Sequence, residues 1–141
     1  MSVLVVDASI AAKWFFDEVH SAAAIRILGT HYRLHAPDFL LVEFDSLVWK
    51  CVRRKLITLS EARQVRRMLR RLPVQEHPCG PLLDLAFALA VRTGATVYDC
   101  QYVALAMAIK GRVVSADRRL CDAMAGGPFS KHIVWIEDLD P

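Results

Sequence analysis

No cysteine pair in this chain is spaced as Cys-x-x-Cys, and no stretch reads G-x-G-x-x-G or G-x-x-x-x-G-K-[ST]. No apolar run reaches the roughly 18 to 20 residues that a membrane span needs. Each absence removes a class. Cys51, Cys79, Cys100 and Cys121 are scattered, which predicts reduced thiols in a cytoplasmic setting rather than disulfides or a zinc site. Without a glycine-rich phosphate loop, a nucleotide-binding enzyme of either common type is not expected. A secretory signal is not expected either: Asp7 breaks the N-terminal apolar run and no basic segment precedes it. His20, His31, His35, His77 and His132 form no pair with spacing suited to zinc or general-base chemistry. No internal repeat, linker or low-complexity segment interrupts the chain.

Apolar residues, by contrast, are abundant. They make up 55% of 141 residues, with a mean hydropathy of +0.30. The length predicts one domain over residues 1–141 with a real core. The apolar surplus is best explained by a sheet buried on both faces together with a partner interface. Charge is unevenly spread. Residues 53–71 hold eight Lys/Arg against one acid, Glu61, a local +7 in a chain whose total is +3, so the remainder carries −4. A basic lobe on an acidic body points to a polyanionic partner.

Strand and helix signals alternate throughout. Residues 2–6 are a short continuous apolar run rich in β-branched residues, the pattern of a strand buried in a parallel sheet, and 112–115, with Val113 and Val114 at their centre, read as another strand of the buried type. Shorter strands are expected at 34–36, 74–76 and 132–136. Helices are expected from near Ile10, with Ser9 as cap, then over 21–28, from Asp38 past Cys51, over 59–72, from Gly80 or Pro81 to Arg92, from Asp99 to Gly111, and over 118–124. Thr58-Leu59-Ser60-Glu61 fits a capping box. On the helix that follows, Arg63, Arg66, Arg67, Arg70 and Arg71 oppose an apolar face of Ala62, Val65, Leu69 and Leu72. The fold class this predicts is an α/β sandwich around a mostly parallel sheet.

Within that frame the acids fall at particular places. Asp7 and Asp117 each follow a buried strand and precede a helix, and in open parallel sheets ligands bind outside the carboxyl ends of strands. Asp99 starts an Ala/Leu-rich helix, where a carboxylate is favoured by the helix dipole. Glu43 lies among Leu40, Phe44 and Leu47 at helical spacing, so it is partly desolvated unless something neutralises it. Each acid alone reads as a cap or a solvated strand end. Four brought together would repel one another unless a cation were present, and all-oxygen ligation suits hard ions such as Mg²⁺ or Mn²⁺.

The stretches Val5-Val6-Asp7-Ala8-Ser9, Tyr98-Asp99-Cys100-Gln101-Tyr102-Val103-Ala104-Leu105-Ala106 and Val114-Ser115-Ala116-Asp117-Arg118-Arg119-Leu120, with Glu43 between them, resemble the acidic motifs of PIN-domain ribonucleases. Among these, they are most similar to VapC-type toxins of toxin–antitoxin pairs. The resemblance spans essentially the whole chain. It implies a three-layer α/β/α fold and Mg²⁺- or Mn²⁺-dependent cleavage of single-stranded or loop RNA. It places Asp7, Glu43, Asp99 and Asp117 in the family's four acidic positions, with Ser115 as a supporting hydroxyl. Cys100 stands where many members have alanine.

The resemblance also implies a homodimer through the apolar later helices and an antitoxin whose segment lies in an apolar groove. Trp14, Phe15 and Phe16 are consecutive, and one core-facing stripe of a helix cannot bury all three. With Trp49 they are the expected lining of that groove. The arginine face, Arg63 to Arg71, is the expected phosphate-contacting surface. A phosphoacceptor receiver domain would need an acidic pair after the first strand, an Asp after the third and a Lys after the last, and none is present. The remaining rival is a non-catalytic interaction module of the same fold whose acids serve only as caps.

Overall fold

A computed structural model of the chain describes residues 2–29 and 31–139. In chain order it runs β1 (Ser2–Val6), α1 (Ala8–Lys13), α2 (Ser21–Arg26), β2 (Tyr32–Pro37), α3 (Leu40–Arg53), α4 (Leu59–Arg71), β3 (Val74–His77), α5 (Leu83–Thr93), α6 (Val97–Ala108), β4 (Arg112–Ser115), α7 (Arg118–Met124) and β5 (Ile133–Trp135). Single 3₁₀ turns cover Gly80–Leu82, Ser130–His132 and Ile136–Asp138.

The strands form one parallel sheet in the order β3-β2-β1-β4-β5. From β1 the chain steps outward through β2 to β3, then crosses back to lay β4 on the other side of β1. The two buried-type strands read from sequence are thus neighbours at the centre, with Leu4, Val5, Val6, Val113 and Val114 fully buried. Right-handed crossovers put α1–α4 on one face and α5–α7 on the other, the expected three-layer α/β/α sandwich. Helix α6 is the innermost, lying across β1, β2 and β4 with Cys100 to Ala106 all buried. Its exit to β4 runs through Gly111, where a Cβ would sit 2.8 Å from the Val3 carbonyl oxygen, so only glycine lets the turn press against β1.

Local sequence signals explain most element boundaries. The capping box at Thr58 and Glu61 is formed with both reciprocal bonds. The apolar stripe of α3 buries Leu40, Phe44 and Val48, and α4 faces inward through Ala62 and Leu69. Two expectations are corrected. First, α1 is capped by Asp7, whose Oδ1 accepts from the Ile10 N–H, and Ser9 instead donates its hydroxyl to that same oxygen. Second, α1 as a regular helix stops at Lys13, short of Trp14, Phe15 and Phe16, although the Phe16 N–H still reaches the Ala12 carbonyl at 2.9 Å. All three aromatics are partly buried against the core. Trp14 Nε1 donates to the Ala24 carbonyl at 2.9 Å, and Phe15 meets Phe44 edge-on. Trp49 does remain 54% exposed. Among the described residues no single helix is long and apolar enough to cross a membrane; α6, with α5 and the turn before it, is bent by 117°. All four cysteines are free thiols.

Candidate active site

The chain reverses its direction of travel across the sheet between β1 and β4, and at such a switch point the loops leaving adjacent strand ends part to form a crevice. Asp7 leaves β1 and Asp117 lies two residues beyond β4. Both cap a helix: Asp117 Oδ1 accepts from the backbone of Arg119 at 2.9 Å and of Leu120 at 3.4 Å. Ser115, wholly buried at the end of β4, accepts the Asp117 N–H on its Oγ at 3.0 Å and fixes the turn that aims the carboxylate. Asp99 stands in the first turn of α6, its N–H bonded to Thr96 Oγ1. Glu43 stands in the first turn of α3. Residues from four separate segments of the chain thus line one cleft of about 610 Å³.

The electrostatics of this cleft are unfavourable as it stands. Burial pushes Asp7 up to about 6, against cap bonds that pull the other way, and the charges of Glu43 and Asp99 push it further. Burial likewise raises Glu43 and Asp99, with Asp99 repelling Glu43 and Asp117 repelling Asp99. None of the four acids is ion-paired among the described residues. Tyr102, one turn along α6 from Asp99, donates its hydroxyl to Glu43 Oε1 at 2.5 Å, and burial against that carboxylate drives the phenol strongly upward. Glu43 therefore keeps one oxygen free, in a fixed orientation.

All-oxygen, multiply anionic and without a direct ion pair among the described residues, this donor set fits a hard divalent cation. Among the described residues no three His, Cys, Asp or Glu side chains already converge into a closed cage. Mg²⁺ ordinarily keeps several waters and takes only one or two carboxylates directly, so spaced carboxylates around an open cleft suit it better than a tight shell would.

Cations ring the cleft above this acidic floor. Lys13, Lys50, Arg118 and Arg119 line it beside the acids. Sequence reading did not single them out, although Lys50 lies two helical turns from Glu43 on the same face and Arg118-Arg119 directly follow Asp117. Arg118 also rests on the Trp135 ring at 3.9 Å. Tyr102 was part of the quoted motif, but its bond to Glu43 joins two distant segments and has no local signal. The arginine face of α4 lies outside the lining of the cleft. Arg63, Arg67, Arg70 and Arg71 are exposed, whereas Arg66 is held by Asp45 in a two-bond pair at 2.7 and 2.8 Å, so the expected five free guanidinium groups become four.

The family model described as "PIN domain" matches residues 4–125. The chain is 37% identical over 121 residues to "Ribonuclease VapC3" of Pyrobaculum aerophilum, an alignment covering 84% of this chain and 92% of that one. Among solved structures it is similar to PAE2754 of the same organism, with a TM-score of 0.68, 24% identity and coverage of 96% and 85%. It also resembles a toxin–antitoxin complex from Klebsiella pneumoniae, with a TM-score of 0.65, 12% identity and coverage of 93% and 95%.

Proposed function

Because this chain belongs to the PIN-domain family, we propose that it is a divalent-metal-dependent endoribonuclease and the toxin half of a toxin–antitoxin pair. The observation that carries this reading is the set of four carboxylates from four segments lining one cleft, none with a protein cation paired to it. Asp7, Asp99 and Asp117 would hold the Mg²⁺ or Mn²⁺. Such an ion lowers the pKa of a bound water and neutralises charge at the phosphodiester. Glu43, its carboxylate oriented by Tyr102, completes the ion's surroundings or positions the attacking water. Lys13, Lys50, Arg118 and Arg119 attract the phosphates of a single strand toward the acidic floor. RNA in the cytoplasm is the substrate this implies.

The test is to incubate the purified chain with single-stranded RNA and Mg²⁺ or Mn²⁺. Internal cleavage that stops on chelation is the expected result. A chain that neither binds the metal in a titration nor cuts would be the non-catalytic interaction module instead.

The exposed arginines of α4 extend the phosphate track. Replacing Arg63, Arg67 and Arg70 by Ala should weaken RNA binding and flatten its dependence on log salt by about 2 if all three contact phosphates of a single strand, with metal affinity unaltered. An unchanged salt slope would leave this face as a solubilising surface.

Two protein partners belong to the same reading. The antitoxin would cover apolar residues that α3 and α4 leave exposed, Val42, Trp49, Leu59 and Met68, and could send a basic group toward the acidic cleft. Trp14, Phe15 and Phe16, packed against the core and partly exposed, would border that surface. A second copy of the chain would cover α5.

A further inference from the structure

A second, smaller cavity of about 200 Å³ opens beside the acidic cleft, and Asp99, Asp117 and Arg119 line both. The two carboxylates they share are among those that would hold the metal. Its walls are Ala95, Leu120 and Ala123, with Thr93 and Thr96 from the turn between α5 and α6. That turn is held firmly. Gly94 takes a left-handed φ of 80°, its N–H bonds to the Ala90 carbonyl, and Thr93 Oγ1 accepts from the Ala95 N–H while donating to the Leu89 carbonyl. Thr96 Oγ1 accepts the Asp99 N–H, and the Thr96 hydroxyl also bonds the Asp99 carboxylate.

Both threonine hydroxyls are therefore committed, and the pocket offers an entering group mainly apolar walls. A phosphate would lose its water there with few donors in return and two carboxylates at the mouth, an unfavourable exchange. A flat heteroaromatic ring would not. The volume is below the roughly 300 to 1,000 Å³ of pockets that take larger ligands, so it accommodates a single ring system. Arg119 stands at the junction. It makes no ion pair among the described residues, its backbone N–H is bonded to Asp117 Oδ1, and its charge reaches Asp99. A guanidinium in that position presents paired donors to whatever enters, and the base edge that matches paired donors is one with two adjacent acceptors, as guanine has in O6 and N7.

We propose that this side pocket receives the unstacked base of the nucleotide adjoining the scissile phosphate, and that Arg119 reads the acceptor edge of that base. The inference rests on the nuclease reading above and adds to it the position at which the enzyme discriminates among RNA sequences. Single-stranded RNA is recognised in this way, by splaying a base into a pocket and bonding its edge.

The experiment is to cleave a randomised single-stranded RNA pool with Mg²⁺ and read the bases on both sides of the new ends. The native chain, Arg119→Ala and Ala123→Leu are compared, the last placing a larger side chain in the pocket wall. The native chain should show a strong base preference at one position next to the cut. Both variants should lose most of it, with KM for RNA rising about tenfold or more, as expected for one lost bidentate base contact. Binding of a short RNA to the same variants, each carrying Asp7→Asn to prevent cleavage, should weaken in parallel. Arg119 is exposed, so its variant tests the idea even if Ala123→Leu is poorly folded by thermal melt. An unchanged preference in Arg119→Ala, or no base preference in the native chain, would overturn the pocket assignment while leaving the nuclease reading standing. Absence of any cleavage by the native chain would instead be a failure of that reading; the pocket assignment would then fall if RNA binding were also indifferent to both substitutions.

Discussion

Asp7→Asn, Asp99→Asn and Asp117→Asn should each abolish RNA cleavage, and Asp7→Asn should at the same time make the metal-free protein more stable. Asparagine keeps the shape and one acceptor oxygen, so the bonds from the Ile10 N–H and the Ser9 hydroxyl to residue 7 survive. What goes is one negative charge from a group of four. A metal ligand contributes several kcal/mol to stabilising the reaction's charge, so activity should fall roughly a thousandfold or more. Stability should move the other way. The carboxyl of Asp7 is raised from 3.8 to about 6 in the folded chain. Below about pH 4 it is protonated in both folded and unfolded states and contributes nothing. Between pH 4 and 6 the unfolded chain ionises first, so stability is lost as pH rises through that window, by about 3 kcal/mol at its end. The asparagine variant escapes this loss. Thermal melts in chelator should show the native chain declining more steeply from pH 4 to 7 than Asp7→Asn, in which the raised Glu43 and Asp99 still contribute a smaller decline, the gap closing at pH 4 and shrinking when Mg²⁺ is added. Cleavage surviving in all three variants would sink the assignment of the acids.

Phe87→Glu should convert a dimer into a monomer. On α5, Leu83, Phe87 and Val91 recur at every fourth residue and are 49, 63 and 72% exposed. Tyr98, at the start of α6, is exposed as well. A stripe of this kind, one helical face wide and just over two turns long, is unusual on a protein that stands alone. Two copies related by a twofold axis would each cover the other's stripe, so every substitution counts twice. Burying a phenylalanine is worth about 2 kcal/mol, and losing two, with a pair of like charges introduced, should weaken association roughly a thousandfold. Light scattering over a concentration series should give twice 15.8 kDa for the native chain and 15.8 kDa for the variant. A native chain that stays monomeric, or a variant that stays dimeric, would refute this interface.

Much of the architecture was legible because the signals were local. The strand patterns at 2–6 and 112–115 announced buried strands, the Thr58 capping box fixed the start of α4, and the acids at strand ends marked the crevice before any topology was known. What escaped was set by tertiary contacts. The aromatic triplet at 14–16 follows the end of α1, and its partial burial depends on Ala24 and Phe44, which no spacing rule connects to it. Arg66 belonged to a regular basic face by periodicity, yet Asp45 on the neighbouring helix claims it. The α5 segment is apolar nearly all round, so periodicity could not say that only its Ala86 and Leu89 side faces the core. Tyr102 and the rim lysines gain their roles from segments far away in sequence, where no spacing rule applies.

The strand order has a consequence for the birth of the protein. Chains emerge from the ribosome N-terminus first, and β1 is the central strand of the finished sheet, but the neighbour that completes it on one side is β4, made of residues 112–115. Until that late segment has appeared, the middle of the sheet has an open edge, and the last of the four acids, Asp117, does not yet exist. A chain that stops short of residue 117 thus has neither the completed centre of the sheet nor the four-acid cleft. Whatever chemistry the four-acid cleft performs therefore begins only after residue 117 has been added and β4 has docked beside β1.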